Sequence, residues 1–283
     1  MKVDLHIHSN ASDGTDTPLE IMKKARQRAI GIFAITDHDT VVGLSELNEI
    51  PEGIKCIRGI ELSSKTTVAP CHILGYGFDL ESNSLKRAIE ELANKRNKKT
   101  DIRIERLKAN NGIKLTDEEL NWIYSHSSPG RPHIAQILVN RGVVSSIREA
   151  FDKFIDDNHS PVAPDISRIE AKTAIEAITE AGGVACWAHP LGGEGEPRIS
   201  YTTFKEQLAN LTKIGIQGIE CYYSQYSLQE INFLLGYAKE NKLLVSGGSD
   251  YHGMRKNINL GELNSEGYII HSDKLTVLEA LHL

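Results

Sequence analysis

The sequence has no long apolar segment and few cysteines, and each shortage excludes a class of protein. No apolar run approaches the roughly 18–20 residues that a helix needs to cross a bilayer, so we expect no membrane partner. The four cysteines stand alone, without a Cys-x-x-Cys pair, which favours buried core thiols over disulfides or metal ligands. The chain also starts without a signal-peptide pattern, which predicts a cytoplasmic location.

Positive charge is not in excess either. Lysine and arginine number 32 against 38 aspartates and glutamates, for a net charge of −6. This balance disfavours long nucleic acid as a partner, so anion binding must come from a local patch. The apolar fraction of 40% and the length of 283 residues suit a globular protein with one large barrel or two modest domains.

The first strand carries a His-x-His pattern. Side chains alternate between the two faces of a strand, so Asp4, His6 and His8 share one face of residues 3–9. Two imidazoles placed two residues apart on one face can both reach a single metal ion. This pattern alone leaves two interpretations open: a metal site, or histidines that are simply buried and hydrogen-bonded.

Short apolar runs alternate with amphipathic segments over most of the chain, which predicts a parallel sheet with helices outside it. Right-handed crossovers let such strands wind into a barrel. The pattern stops at 81–159, where helical segments replace it. We therefore predict a barrel formed by 1–80 and 160–283, with 81–159 as a helical insertion that caps the active site. Residues 86–108 are rich in lysine and arginine, and we interpret them mainly as a solvent-facing surface.

Histidines and carboxylates recur where the predicted strands end. They are His6, His8, His38, Glu61, His189, Glu220, Asp250 and His252, with Asp13 and His72 in or beside adjoining segments. Because the carboxyl ends of barrel strands form one rim, we expect a metal centre there. Mixed imidazole and carboxylate ligands suit Mn, Fe or Zn. Such a centre needs no serine or cysteine nucleophile.

Five ordered motifs now resemble one family. They are Asp-Leu-His-Ile-His-Ser, Asp-His-Asp, Gly-Ile-Glu, Ala-His-Pro and Gly-Ser-Asp-Tyr-His-Gly. Together they look like the PHP (polymerase and histidinol phosphatase) superfamily, which implies a distorted (β/α)7 barrel and two or three divalent metal ions. The Gly-Arg-Pro-His-Ile-Ala segment is similar to a subgroup of small-molecule and nucleotide phosphoesterases with an inserted helical domain.

The resemblance implies a ligand set. One metal would bind His6, His8, Glu61 and Asp250; Glu61 would bridge to a second, bound also by His72 and His189; and a third would take Asp13, His38 and His252. The catalytic residues would be His189, His252 and Asp250. Asp13 is equally typical of a turn before Gly14. Asp37 and Asp39 are candidates either for orienting His38 or for ordinary loop contacts.

The expected substrate is a small phosphorylated metabolite. The subgroup resemblance points to a nucleoside 3′,5′-bisphosphate or the 5′ end of a short RNA, with Arg131 and His133 binding phosphate, since a guanidinium matches two phosphate oxygens. The flanking Gly130 and Pro132 predict a loop there, although a solvated Arg before a helix is the alternative. Glu220 is a candidate for substrate contact or for packing.

Three competing functions stay open. One is a cyclic sugar phosphodiesterase, such as a ribose cyclic phosphate dihydrolase. The others are a metal-binding module without catalysis, and amide or ester hydrolysis by a related barrel. The acidic, glycine-rich residues 191–196 favour a small substrate over a long polyanion.

Overall fold

The structure, a computed structural model, describes residues 1–47, 49–155, 164–193, 197–264 and 266–283. Its centre is one nine-stranded sheet. The strands are β1 (Lys2–Asp4), β2 (Ile30–Ile35), β3 (Lys55–Lys65), β4 (Pro70–Tyr76), β5 (Ile169–Glu170), β6 (Val184–Trp187), β7 (Gly218–Tyr223), β8 (Leu244–Gly248) and β9 (Ile270–His271). The β-branched and aromatic residues of β2, β4 and β7 are buried, as in strands covered on both faces.

Helices cover the sheet and build the insertion. They are α1 (Pro18–Gln27), α2 (Asn83–Asn111), α3 (Asp117–Tyr124), α4 (Arg131–Asn140), α5 (Ile147–Ala150), α6 (Ala171–Glu180), α7 (Tyr201–Lys213), α8 (Leu228–Glu240) and α9 (Val277–Ala280). The sequence marks their starts: Thr17 and Glu20 form the capping box expected before α1, with Pro18 as the first helical residue. None of the described helices is long and apolar enough to span a membrane.

The sheet is mixed, which corrects the expectation of parallel strands throughout. Strand order is β8-β7-β6-β4-β3-β2-β1-β9, and β5 pairs with β3. β4 runs antiparallel to both β3 and β6, and β9 runs antiparallel to β1. The cause is the short link from Thr66 to Ala69, which closes a hairpin through a bond from Thr66 N to Ala69 O of 3.1 Å. Strand β3 therefore continues beyond Glu61, which lies within it and not at its end.

The first and last barrel strands meet and nearly close the sheet. Leu5 N donates to Gly247 O at 3.2 Å, and Ile7 forms a parallel bridge with Tyr251. Gly248 makes the approach possible, because a Cβ there would lie 2.3 Å from the backbone nitrogen of His6. The α/β barrel predicted from the alternating pattern is confirmed.

The helices between β4 and β5 pack around a core of their own. Leu107, Ile123, Ile134 and Leu138 belong to an apolar cluster separate from the barrel core, with α2 extending back to α6 of the barrel. A single 29-residue helix, α2, spans the charged residues 86–108. That residues 81–159 form a separate inserted domain stays a prediction, and the end of this segment lies outside the described residues.

Cysteine side chains add little chemistry. Cys56, Cys186 and Cys221 are free thiols, and Cys71, Cys186 and Cys221 are buried. Burial raises the pKa of the Cys56 thiol to about 12, which leaves it protonated and unreactive near neutral pH.

Candidate metal centre

Four donor atoms converge at the junction of β1, β3 and β8. The Nε2 atoms of His6 and His8 lie 3.1 Å apart. Glu61 Oε2 is 3.3 Å from His6 Nε2 and 3.1 Å from His8 Nε2. Asp250 Oδ1 is 3.4 Å and 3.2 Å from the same two nitrogens. This is the set predicted for one metal ion.

Two further groups share residues with the first. His72 Nδ1 and His189 Nε2 each lie 3.0 Å from Glu61 Oε1 and 3.4 Å from each other. His38 Nδ1 is 3.1 Å from Glu61 Oε2, so it joins this second group from the other side.

The third group surrounds Asp13. His252 Nε2 lies 3.2 Å from Asp13 Oδ1, and His38 Nε2 lies 4.0 Å from Asp13 Oδ2. His8 Nδ1 also lies 3.6 Å from Asp13 Oδ1. The structure thus brings together all nine residues proposed from sequence as metal ligands, in three neighbouring clusters.

The donor geometry fits divalent ions. Donors at about 2.0–2.2 Å from one ion in tetrahedral geometry lie about 3.4 Å apart, close to the separations in the first group. His8 Nδ1 and His38 Nδ1 are buried and lie near carboxylate oxygens, yet neither makes a hydrogen bond among the described residues, a costly state that a bound cation would relieve. Nitrogen and carboxylate donors together suit Mn, Fe and Zn.

Buried carboxylates hold the ligands in place. Glu220 is fully buried and accepts hydrogen bonds from His6 Nδ1 at 2.9 Å and from His189 N at 2.7 Å. Because His6 Nδ1 is the donor, the lone pair of His6 lies on Nε2, which faces the cluster. Both oxygens of Glu220 are engaged, so the structure places this residue behind the ligands and not on the open side of the site. Asp4, on the same face as His6, accepts from Ser249 N and Oγ and ties β1 to β8.

Asp37 and Asp39 fix the loop that carries His38. Asp37 accepts from the backbone and hydroxyl of Ser9, at 2.7 Å and 2.6 Å. Asp39 has a left-handed φ of 57° and accepts from Ser63 N at 2.7 Å. These carboxylates hold backbone and hydroxyl groups around His38 and not its ring.

Three cations that the sequence reasoning did not single out lie against this site. Arg96 of α2 donates to Asp39 Oδ2 through Nε at 3.0 Å and through Nη2. Arg255 Nη1 donates to the carbonyl of Asp13 at 2.6 Å, and Lys256 pairs with Asp250 Oδ2. Arg255 and Lys256 follow the Asp-Tyr-His-Gly motif after a single intervening residue, Met254, a signal that sequence reasoning had available.

The charges in the centre shift its pKa values in opposite directions. Burial opposes ionisation of Asp250, but the charges of Lys256 and His6 outweigh it and hold its pKa well below the ordinary value. Burial also lowers the pKa of His8, yet contacts with Asp250 and Glu61 raise it to about 9. Asp250 is therefore ionised near neutral pH, and a metal ion that binds here must displace the proton of His8.

The centre opens on one side. Asp13 is the most exposed of its ligands, with 27% of its side chain accessible, followed by His38 at 16%. The remaining ligand side chains are no more than 11% exposed. A substrate must therefore enter past Asp13 and His38.

Helix α4 of the insertion starts beside this opening. Arg131 is its first residue, which corrects the loop predicted there, and its guanidinium lies 5.4 Å from the ring centre of Phe151. His133 is buried, and its Nδ1 accepts from Gly130 N at 3.1 Å, which caps the helix. The loop before α4 reaches the barrel, because Ser127 Oγ donates to Ala11 O at 2.6 Å.

Part of one predicted feature is not described. Glu194, Gly195 and Glu196 of the acidic loop lie outside the described residues. Leu191 and Gly192 are anchored by the Tyr226 hydroxyl, which accepts from Leu191 N at 2.7 Å and donates to Gly192 O at 3.1 Å.

Curated relatives cover most of this chain. A 3′,5′-nucleoside bisphosphate phosphatase of Chromobacterium violaceum is 29% identical over 88% of this chain and 87% of its own length. A 5′-3′ exoribonuclease of Haemophilus influenzae is 30% identical over 89% of this chain and 90% of its own. A phosphoribosyl 1,2-cyclic phosphate 1,2-diphosphodiesterase of Eggerthella lenta is 28% identical over 88% and 94%.

A solved structure supports the same assignment. A protein from Bifidobacterium adolescentis, described as a metal-dependent phosphoesterase, superposes with a TM-score of 0.82 at 28% identity, covering 99% of this chain and 95% of its own. The family model of the PHP domain matches residues 4–160, more than half of the sequence. With the ordered motifs, the barrel and the clustered histidines and carboxylates, these matches show that the chain belongs to the PHP domain family.

Proposed function

We propose that this chain, a phosphoesterase of the PHP family, releases phosphate from a small nucleotide that carries two phosphates. The first candidates are a nucleoside 3′,5′-bisphosphate and the 5′ end of a short RNA. One observation carries the proposal: Arg96 and Arg255 contact Asp39 and Asp13 beside the metal centre, and α4 starts close to Arg96, since a Cβ on Gly130 would lie 3.8 Å from Arg96 Nη1. A phosphate at the centre thus leaves cationic groups nearby for a second anion.

The reacting phosphate is assigned to the three clusters. Two or three ions of Mn, Fe or Zn would be held by His6, His8, Asp13, His38, Glu61, His72, His189, Asp250 and His252. When bound, such ions activate water, clamp phosphate oxygens and offset charge on the leaving oxygen. The buried residues His189, His252 and Asp250 would line the reacting atoms and exclude bulk water from them.

The second phosphate is assigned to Arg131 and the amino end of α4. Stacking on Phe151 uses the face of the guanidinium, whereas its N–H groups lie along the edge, where they match two phosphate oxygens. The amino end of the ten-residue α4 adds a favourable dipole for an anion. His133 supports this subsite by capping the helix at Gly130.

A phosphate-release panel tests the proposal. The metal-loaded enzyme is assayed on adenosine 3′,5′-bisphosphate, 5′-adenylate, a short 5′-phosphorylated RNA and a ribose cyclic phosphate. We expect the highest kcat/KM for the bisphosphate or the RNA. Equal kcat/KM for the mononucleotide, the bisphosphate and the cyclic ester would contradict the two-subsite arrangement. Preference for the cyclic ester would instead support a phosphodiesterase like the Eggerthella relative.

A matched pair of variants isolates the second subsite. Arg131→Ala should lower kcat/KM for the bisphosphate at least about tenfold, as expected for loss of one charged bidentate contact, while metal content is unchanged. Arg148→Ala is the control, because this arginine belongs to the same insertion and its side chain is 92% exposed. Wild-type kinetics in the Arg131 variant would remove this residue from the site.

A further inference from the structure

Three aromatic side chains cluster between the surface of the insertion and the start of α4. The rings of His126 and His133 lie 4.2 Å apart between centres, and Trp122 lies 4.7 Å from His126 and 5.9 Å from His133. The members of this aromatic cluster differ in exposure: Trp122 is 40% accessible, whereas His133 is 3% accessible. An indole this exposed, next to a half-buried imidazole, offers a flat apolar surface to a ligand.

The buried member of this aromatic cluster, His133, lies beside the opening of the metal centre. His133 is close enough to Asp13, Arg255 and Arg96 for their charges to act on its pKa. The segment between His126 and α4 also touches the barrel loop that carries Asp13, through the bond from Ser127 Oγ to Ala11 O. A substrate held by its phosphate at the centre and extending past Asp13 therefore points toward this aromatic cluster.

A backbone contact holds the His126 ring against the indole of Trp122. His126 Nδ1 donates to the carbonyl of Trp122 at 2.8 Å, one helical turn earlier. This bond orients the imidazole edge-on to the indole, at an interplanar angle of 75°. A preformed aromatic surface costs little side-chain entropy when a ligand stacks on it.

We propose that Trp122, supported by His126, is a stacking surface for the base of a nucleotide whose phosphate occupies the metal centre. The inference rests on the proposed function and adds a contact for the base, the part of the substrate that the phosphate subsites do not bind. Stacking is tolerant of base identity, since every base has a π face. The enzyme should therefore discriminate strongly between substrates with and without a base, and weakly among bases.

Tryptophan fluorescence tests binding without catalysis. The chain has two tryptophans, and Trp187 is buried with its ring 5.4 Å from that of Phe204. Titrating the metal-loaded protein with 5′-adenylate should quench the emission, and ribose 5-phosphate should not. The quenching should vanish in Trp122→Phe. Equal quenching by both compounds, or quenching retained in Trp122→Phe, would overturn the stacking surface.

Kinetics give the second readout. Trp122→Ala should lower kcat/KM for adenosine 3′,5′-bisphosphate about tenfold through KM, and leave ribose 5-phosphate unaffected. Trp122→Phe, which keeps an aromatic face, should recover most of the loss. Tyr201→Ala on α7 is the control, because this tyrosine is 55% exposed and packs on Phe233 of the barrel.

The possible outcomes distinguish a failure of the stacking surface from a failure of the proposed function. If the bisphosphate is hydrolysed and neither Trp122 variant changes its KM, the stacking surface is wrong and the proposed function stands. If the wild type hydrolyses no nucleotide but opens a ribose cyclic phosphate, the proposed function is wrong and the stacking surface falls with it.

Discussion

Replacing Arg96 with methionine should destabilise the protein by leaving a buried charge unpaired. The Asp39 side chain is 1% exposed and that of Arg96 is 20% exposed, so the pair is largely shielded from water. Removing one partner of a buried pair costs about 3–5 kcal/mol, and the partial exposure of Arg96 places the expected loss near about 3 kcal/mol. Methionine keeps the apolar stem, so little of this loss comes from packing.

A double variant separates the charge from the geometry. In Arg96→Met/Asp39→Asn the unpaired carboxylate is gone, and an asparagine tolerates the left-handed φ of 57° at this position. We expect the double variant to recover about 2 kcal/mol of the loss. Arg28→Met is the control, since Arg28 pairs with Glu262 at 2.7 Å on a more exposed surface, where a pair contributes about 0–1 kcal/mol.

Urea unfolding followed by circular dichroism measures these differences. It is carried out with a chelator present, because bound metal would add its own stabilisation. A loss below about 1 kcal/mol in Arg96→Met, or no recovery in the double variant, would refute the view that this pair secures α2 to the loop carrying His38. Metal analysis of the same variants then tells whether the His38 cluster depends on that attachment.

Three further predictions concern other parts of the molecule. Burial lowers the pKa of His133 to about 3, so the unfolded chain takes up the proton first as pH falls below about 6.5. The unfolding free energy of the wild type should then drop by up to about 1.4 kcal/mol per pH unit relative to His133→Gln, which keeps a capping acceptor. Parallel curves of unfolding free energy against pH for the two proteins would contradict this. His8→Ala and Asp250→Ala should each lose metal and activity while circular dichroism is unchanged; elemental analysis showing full metal content would exclude them as ligands. Gly248→Ala should lower the free energy of unfolding in urea by about 3 kcal/mol, because the backbone of His6 occupies the space of the added Cβ. The control Gly236→Ala, in open space on α8, should not destabilise the protein. Equal effects of the two substitutions would contradict the role of Gly248 in barrel closure.

The ligands near the ends of the chain were predictable because their signal is local. Strand alternation alone puts His6 and His8 on one face, and both face the centre. Glu61 was identified for a reason that the structure changes, because it lies within β3 of a hairpin and not at the end of a parallel strand. His72 lies near the start of β4, where the sequence predicted it.

Neither the direction of the strands nor the ion pairs between distant residues could be predicted from local sequence patterns. An apolar run such as Cys71–Tyr76 has the same periodicity in either direction, and only the brevity of the link from Thr66 to Ala69 excludes a crossover helix. Arg96 sits in a helix whose charged residues look alike in sequence. Its partner Asp39 is 57 residues away, so helical periodicity does not show which arginine meets it.

The meeting of the first and last barrel strands has a consequence for how the protein is made. Synthesis delivers His6 and His8 at the beginning of the chain, whereas Asp250 and His252 emerge almost at its end. Until the residues after β8 are synthesised, His6 and His8 lack the carboxylate of Asp250, and the bridge between Ile7 and Tyr251 cannot form. Completion of the centre therefore waits until the residues after β8 have been synthesised, and a translation product that stops before Asp250 lacks part of the candidate metal site.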